Sequence, residues 1–258
     1  MVIQPRNTSS QKTGSDTPNT TLDHKAARML EIYSQQNFSS HRLANRLRVN
    51  LLIYVIRGKI LQNLKRFFDF CVALFAIILL SPIMIVTALL IKLTSKGPIF
   101  FYQERVGIWG KSFYCYKFRS MYIDAEERKK ELMKENEADG PVFKMKNDPR
   151  ITPIGRFIRK TSIDELPQLF NVLQGDMSLV GPRPAVPQEV EEYDFVSLGR
   201  LNAVPGITGL QQVSGRSDLD FKRWIELDLQ YIEEQSLLTD IKILLKTIPA
   251  VLFARGAY

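Results

Sequence analysis

From residue 42 to residue 258 the chain contains no histidine; its only two, His24 and His41, fall in the polar segment before that. Ser-His-Asp and Cys-His schemes are thereby excluded from the body of the protein. Proton or nucleophile chemistry there falls to carboxylates, lysines, tyrosines or a metal-bound water. A metal, if one takes part, should be a hard, oxygen-binding cation such as magnesium. Cysteine is equally scarce. Cys71 lies in an apolar run and Cys115 between tyrosines, which suggests no disulfide framework, fits a reducing compartment and leaves no cluster for zinc. Neither a GxxxxGK[ST] loop nor a GxGxxG fingerprint occurs, so ordinary NTPase and dinucleotide readings are weak. No apolar stretch begins near Met1, and no signal peptide is expected.

Charge is present but one-sided. Residues 1–66 carry 11 Lys/Arg against 3 Asp/Glu, whereas residues 67–258 carry 24 of each, so the net +8 resides in the first quarter of the chain. A nucleic-acid-binding domain should carry its basic excess on the folded body, so no nucleic-acid partner is expected. A basic surplus just ahead of an apolar segment points instead to the anionic cytoplasmic face of a membrane. With 258 residues, one medium domain or two small ones can bury a real core.

Composition divides the chain into four parts. Residues 1–42 form a polar tail expected to be disordered. Residues 43–66 mix apolar and basic residues, as in an amphipathic helix on a membrane surface. Residues 67–95 contain the run from Phe70 to Ile91, 22 residues without a charge, where about 20 suffice to cross a bilayer. A single straight span is the default reading. Against it stands Ser81-Pro82 at the middle, where proline removes a backbone bond and bends a helix. Basic residues also flank both ends: Arg57, Lys59, Lys65 and Arg66 before, Lys92, Lys96 and Arg105 after. Positive loops stay cytoplasmic, and a re-entrant helix that bends and returns to the same face satisfies both ends.

Residues 96–258 read as the catalytic body. Two aromatic-rich runs between Gly97 and Met121 flank a loop with Gly107 and Gly110, the pattern of a β-hairpin. "DAEERKKELMKENE" predicts a solvated helix, and "DPRITPIGRFIRKTSIDELPQLFNVL" predicts two short helices separated at Thr161-Ser162. A further helix is expected over 218–235, and the terminal "IKILLKTIPAVLF" is apolar but too short to span.

The stretch "TSIDELPQLFN" sets Asp164 beside Glu165. Ser162, three residues before Glu165, has the spacing of a capping box, and acids in a first turn suit the helix dipole. Around the pair the chain gathers cations: Lys117 and Arg119, Arg150, Arg156, Arg159 and Lys160, Arg183 in "GPRP" and Arg216 in "SGR". Singly each reads as a surface charge. Arginines set beside glycine and proline can present a rigid fork to phosphate oxygens, so these loops with two acids suggest a diphosphate substrate and magnesium.

From about Lys65 to the terminal "RGAY" the chain resembles the bacterial sugar transferase family, the monotopic phosphoglycosyl transferases or polyprenyl-phosphate hexose-1-phosphate transferases. The resemblance rests on ordered blocks: "KRFFDF", the central "SP", "ERVG", "KFRSM", "DPRITPIGRFIRKTSIDELPQLFNVLQGDMSLVGPRP" and "PGITGLQQVSGR". It implies a mainly helical α+β fold: a re-entrant membrane helix hairpin broken at Ser81-Pro82, a small β-hairpin and interfacial amphipathic helices around a cytoplasmic catalytic domain. It implies transfer of sugar-1-phosphate from a UDP-sugar to undecaprenyl phosphate at the bacterial inner membrane, with release of UMP. By motif, Asp164 would be the nucleophile and Glu165 a magnesium ligand. Lys117, Arg119 and Arg159 would hold phosphates, and Pro182, Arg183 and Pro184 would touch the nucleotide. The end of the chain resembles hexose-transferring members. The competing class is a membrane-anchored scaffold that binds UDP-sugar without turnover, which a UMP-release assay separates from an enzyme.

Overall fold

The computed structural model describes residues 28, 41–132, 145, 148–215 and 219–252. The expected tail therefore lies largely outside the described residues, as do Arg216 and the terminal "RGAY". The chain falls into two compact units, Met1–Ile56 and Arg57–Tyr258. Within the described residues the architecture is α+β and mainly helical, with two small sheets.

Helix α1 runs from His41 to Thr94 with Pro82 inside it, so the expected surface segment and the apolar segment belong to one continuous helix. Pro82 has no N–H to offer the carbonyl of Ile78 four residues back. The Ser81 hydroxyl donates to that same carbonyl at 2.8 Å, so the serine restores the bond that the proline removes. The part of the helix from Arg48 to Thr94 is long and apolar enough to cross a membrane, with only 17% of its most apolar window buried.

In the second unit, both limbs of this helix pack on the same body. Val72, Ala73, Ala76 and Ile77 enter a core with Phe113, Cys115, Leu169 and Val172. Met84, Ala88 and Ile91 enter a second core with Phe118 and Ile158. Phe75, Ile78, Leu79, Ile83, Ile85 and Leu89 remain exposed between and around these contacts. Polar bonds reinforce each limb. Lys65 pairs with Asp240 at 2.6 Å, and Arg66 donates to the carbonyls of Val172 and Leu173. At the other end Arg119 donates to the carbonyls of Lys96 and Ser95 at 2.7 and 3.0 Å. Several cations expected to flank the membrane thus serve the body: Arg105 is also buried there.

Strands β1 (Phe100–Val106) and β2 (Ser112–Phe118) pair antiparallel, as the two aromatic runs predict. Helix α2 (Ala125–Leu132) begins the charged stretch; the rest of that stretch is outside the described residues. Helix α3 (Pro153–Lys160) starts with Thr152 accepting from the N–H of Gly155, with proline in the first turn, a combination that suits a helix start. Gly155 is required because a β-carbon there would lie 1.9 Å from the Ser120 carbonyl oxygen. A 3-10 turn, Ile163–Glu165, leads into α4 (Gln168–Gln174).

The second sheet pairs β3 (Ser178–Val180) with β4 (Gly206–Thr208) in parallel. Helix α5 (Pro187–Glu191) and a 3-10 segment, Ser197–Asn202, lie between them. Helices α6 (Leu210–Ser214), α7 (Phe221–Glu233) and α8 (Leu237–Leu252) complete the described fold. Helix α8 buries Ile243 and leaves Leu238, Ile241, Leu245 and Ile248 exposed.

Candidate active site

Strand alternation places Phe113, Cys115 and Lys117 on one face of β2. The first two are buried and Lys117 is half-buried, so the ammonium sits at the rim of the core on the side of α4. Asn171, fully buried, fixes that approach. Its Nδ2 donates to the Tyr114 carbonyl at 2.7 Å and its Oδ1 accepts from the Tyr116 N–H at 3.0 Å. One side chain thus occupies a β2 donor and acceptor and locks α4 to the strand. Nothing in the spacing of "LPQLFN" distinguished Asn171 beforehand.

The locked pair brings Lys117 Nζ to 2.6 Å from Glu165 Oε1. Asp164, beside it, is buried with 7% of its surface exposed. The expected capping box is not formed. Ser162 adopts a left-handed conformation with φ of 56° and makes no side-chain cap bond. The Glu165 N–H that the hydroxyl would accept from donates to the Ser162 carbonyl at 3.2 Å, and the Glu165 side chain is engaged by Lys117 instead of reaching back.

The neighbouring acids differ electrostatically. Burial, then the negative charge of Glu165, pushes the Asp164 carboxyl up to about 7, against the opposing pull of Lys117 and Arg159. Burial also works against ionisation of Glu165, but Lys117, with Arg183 and Arg105 farther off, outweighs it and holds that carboxyl below its usual range. The pair is an acid poised near neutrality beside a permanent carboxylate, a division that favours distinct chemical roles.

The cations divide as well. Arg119 is buried and committed to Ser95 and Lys96, which takes its guanidinium away from the acid pair. Arg150 is buried against Asp148 at 2.6 Å. Arg159 has no hydrogen-bond or ion-pair partner among the described residues, yet its charge reaches Asp164. Arg183 lies with its guanidinium 5.3 Å from the Trp224 ring centre, and its charge reaches Glu165. Pro182 and Arg183 line a small pocket with Val106, Gly107, Tyr193 and Arg200. Lys117, Arg159, Asp164, Glu165 and Arg183 therefore share one electrostatic neighbourhood; Arg119 does not join it. Ser81 and Pro82 lie within the long apolar helix α1.

Sequence reasoning placed Arg105 only among the basic residues flanking the apolar run and gave it no role at the site. It is buried, donates to the Pro184 carbonyl at 2.7 Å, and is lowered to about 10 by burial and the nearby Arg183. A charged residue inside an aromatic-rich strand, next to Val106, was the available signal.

Magnesium is commonly held through one or two carboxylates together with substrate phosphates. The acid pair supplies two carboxylates, and Glu165 Oε2 has no hydrogen-bond partner among the described residues. No group of three or more His, Cys, Asp or Glu occurs among them that could hold a metal. The residues thus fit a cation carried in with a diphosphate.

A family model described as bacterial sugar transferase matches residues 60–254. The chain is 50% identical over 196 residues to the galactosyl transferase CpsE of Streptococcus agalactiae serotype III, covering 75% of this chain and 43% of the relative. It is 51% identical over 205 residues to the undecaprenyl-phosphate galactose phosphotransferase of Salmonella typhimurium, covering 76% and 42%. It is 42% identical over 198 residues to the exopolysaccharide production protein ExoY of Rhizobium meliloti, covering 75% and 88%. The match thus spans less than half of the first two relatives and most of the third.

Proposed function

Because the chain belongs to the bacterial sugar transferase family, we propose that it transfers a hexose-1-phosphate from a UDP-sugar to undecaprenyl phosphate, releasing UMP and initiating a surface polysaccharide. The observation that carries this reading is the split acid pair. A histidine-free site holds one buried carboxyl set near 7 beside a carboxylate kept ionised by lysine. The name of the Salmonella relative supports the lipid acceptor and that of ExoY the exopolysaccharide context. Both galactose-named relatives support galactose, with glucose as the second hexose to test.

In this mechanism the ionised Asp164 attacks the β-phosphorus of the UDP-sugar. A bond forms from Asp164 Oδ to phosphorus, the bond from that phosphorus to the UMP oxygen breaks, and UMP leaves with the electron pair. A phosphate oxygen of undecaprenyl phosphate then attacks the phosphosugar ester. The aspartate is released and a polyprenyl diphosphate sugar forms. Burial leaves the Asp164 carboxylate weakly hydrated, which favours attack. Lys117, Arg159 and Arg183 face the anionic substrate. Glu165 is the residue that would hold magnesium, whose contribution when bound is to offset charge on the diphosphate.

The membrane reading rests on the two limbs of α1. A body on one side of a bilayer cannot pack both halves of a straight span, yet Ala73 and Ile91 are both buried in cores shared with the body. We read residues 67–95 as re-entrant, with the body on the cytoplasmic face of the inner membrane. Cysteine labels placed before Arg57 and after Lys96 should react from the same side; reaction from opposite sides would establish a span.

The test of function is a UMP-release screen across UDP-sugars with undecaprenyl phosphate. Release with a UDP-hexose is expected. Binding of UDP-sugar without release would identify a scaffold. Exchange of labelled UMP into UDP-sugar without lipid is expected for the covalent route; a strict lipid requirement would point to direct transfer.

A further inference from the structure

All four consecutive carbonyls from Pro182 to Ala185 are engaged. The Gly206 N–H donates to Pro182 O at 2.9 Å, and the Val106 N–H donates to Ala185 O at 2.8 Å. Between these backbone bonds, two arginine side chains complete the set. Arg200 Nη2 donates to Arg183 O at 3.1 Å, and Arg105 Nη1 donates to Pro184 O at 2.7 Å. Both arginines are 6% exposed. Pro182 and Pro184 have fixed φ and no N–H. A segment with its acceptors occupied and two restricted torsions has little freedom except in the Arg183 side chain.

Arg200 also acts on that side chain from the other direction. Its Nε donates to Asp228 Oδ2 at 2.8 Å and its Nη1 to the Tyr193 hydroxyl at 2.5 Å. Its guanidinium carbon lies 5.6 Å from the Tyr193 ring centre and 5.7 Å from that of Trp224. Trp224 is the same indole on which Arg183 rests at 5.3 Å. Arg200 therefore holds the backbone of residue 183 and the aromatic platform beneath its guanidinium together. The Arg183 guanidinium itself has no hydrogen-bond or ion-pair partner among the described residues.

We propose that Arg200, anchored by Asp228 and Tyr193, is a positioning residue that aims the Arg183 guanidinium at the anionic nucleotide of the donor, with Arg105 as the second clamp. This rests on the reading of the site as a UDP-sugar site. It assigns Arg200 no contact with substrate. Its effect should be confined to the half-reaction that consumes the donor, because Arg183 would be needed to seat the nucleotide and not to accept the lipid.

Ping-pong kinetics expose that restriction, since kcat/KM for each substrate reports its own half-reaction. The full chain in detergent or vesicles is assayed with the UDP-hexose that the wild type turns over and with undecaprenyl phosphate. Arg200→Lys should lower kcat/KM for the UDP-sugar by about tenfold to a hundredfold, the scale of a small misplacement. The kcat/KM for undecaprenyl phosphate should be unchanged. Tyr193→Phe keeps the ring and removes one bond to Arg200, so it should move the same parameter less. Its mildness covers the case in which Arg200→Lys fails to fold. Equal loss of both parameters in either folded variant would mean a smaller active fraction and would overturn the proposal, as would no change in either. A wild type that shows no lipid-independent UMP exchange would instead refute the covalent reading of the site, which separates that failure from this one.

Discussion

The loop from Thr161 to Pro167 carries its two acids through a left-handed serine and a single 3-10 turn. The loop from Gly181 to Val186 carries its arginine on a backbone whose four carbonyls from Pro182 to Ala185 are all occupied. The first is built around an electrostatic conflict: a buried carboxyl beside a charged one, held near neutrality by opposing cations. The second is built to remove freedom. Gly181 belongs to that design, since a β-carbon there would lie 2.3 Å from the Val204 carbonyl oxygen. Groups that react must retain an unresolved energy that substrate can settle, while groups that only orient substrate gain from being fully satisfied.

The largest effect should come from removing the conflict. Asp164→Asn should abolish UMP exchange, a loss on the order of 10⁴-fold or more for a nucleophile. The same substitution should stabilise the fold at high pH. Asp164 titrates near 7 in the folded protein, above its ordinary 3.8. Between those values the native state keeps a proton that the unfolded chain has released, so stability falls as pH rises through the window. The Tm of Asp164→Asn should therefore exceed that of wild type at pH 8, with the gap closing toward pH 4. A gap that widened on acidification would show that the carboxyl is not held up by burial. The exchange rate of wild type should rise with pH around 7 as the carboxylate forms.

Glu165→Gln should have the next largest effect. It removes the partner of Lys117 and one source of the upward push on Asp164. Exchange should fall by about 10²-fold, and the magnesium concentration for half-maximal rate should rise. Unchanged magnesium dependence would confine Glu165 to orienting Lys117.

Asn171→Ala should separate geometry from charge. It leaves the Tyr114 carbonyl and Tyr116 N–H without their side-chain partner, at a cost of roughly 1–3 kcal/mol for each group left buried. Denaturant unfolding should show that loss, with exchange falling as the Lys117–Glu165 approach loosens. The smallest effect should come from Ser162→Gly. Glycine accepts the left-handed conformation without a clash, so stability should rise by less than about 1 kcal/mol with exchange retained. A large loss would show that the Ser162 hydroxyl has a role in the reaction.

Much of the fold is legible along the chain because it follows local rules. Two aromatic-rich runs flanking Gly107 and Gly110 announce the β1–β2 hairpin, and Thr152-Pro153 suits the start of α3. The short helices on either side of the acids fall where their apolar spacing places them. The capping box was misread from equally local information. Ser162 and Glu165 have the right spacing, but backbone sign at residue 162 and a lysine 48 positions earlier in the chain decide otherwise. Among the arginines, composition offered several candidates, and burial together with their partners separated them.

By itself the sequence determined that the body works without histidine, that its charge surplus lies ahead of an apolar run, and which ordered blocks mark the family. These are properties of residue identity and spacing, which no folding event can alter. The tertiary structure decided which identical groups became different. Arg119 was turned to Ser95 and Lys96, while Arg183 was left open above Trp224. Asp164 was buried while Glu165 was paired. Lys65 was brought to Asp240, 175 residues away. Each outcome depends on desolvation and on partners distant in the chain, and a carboxylate or guanidinium acquires its working pKa and direction only when those partners arrive.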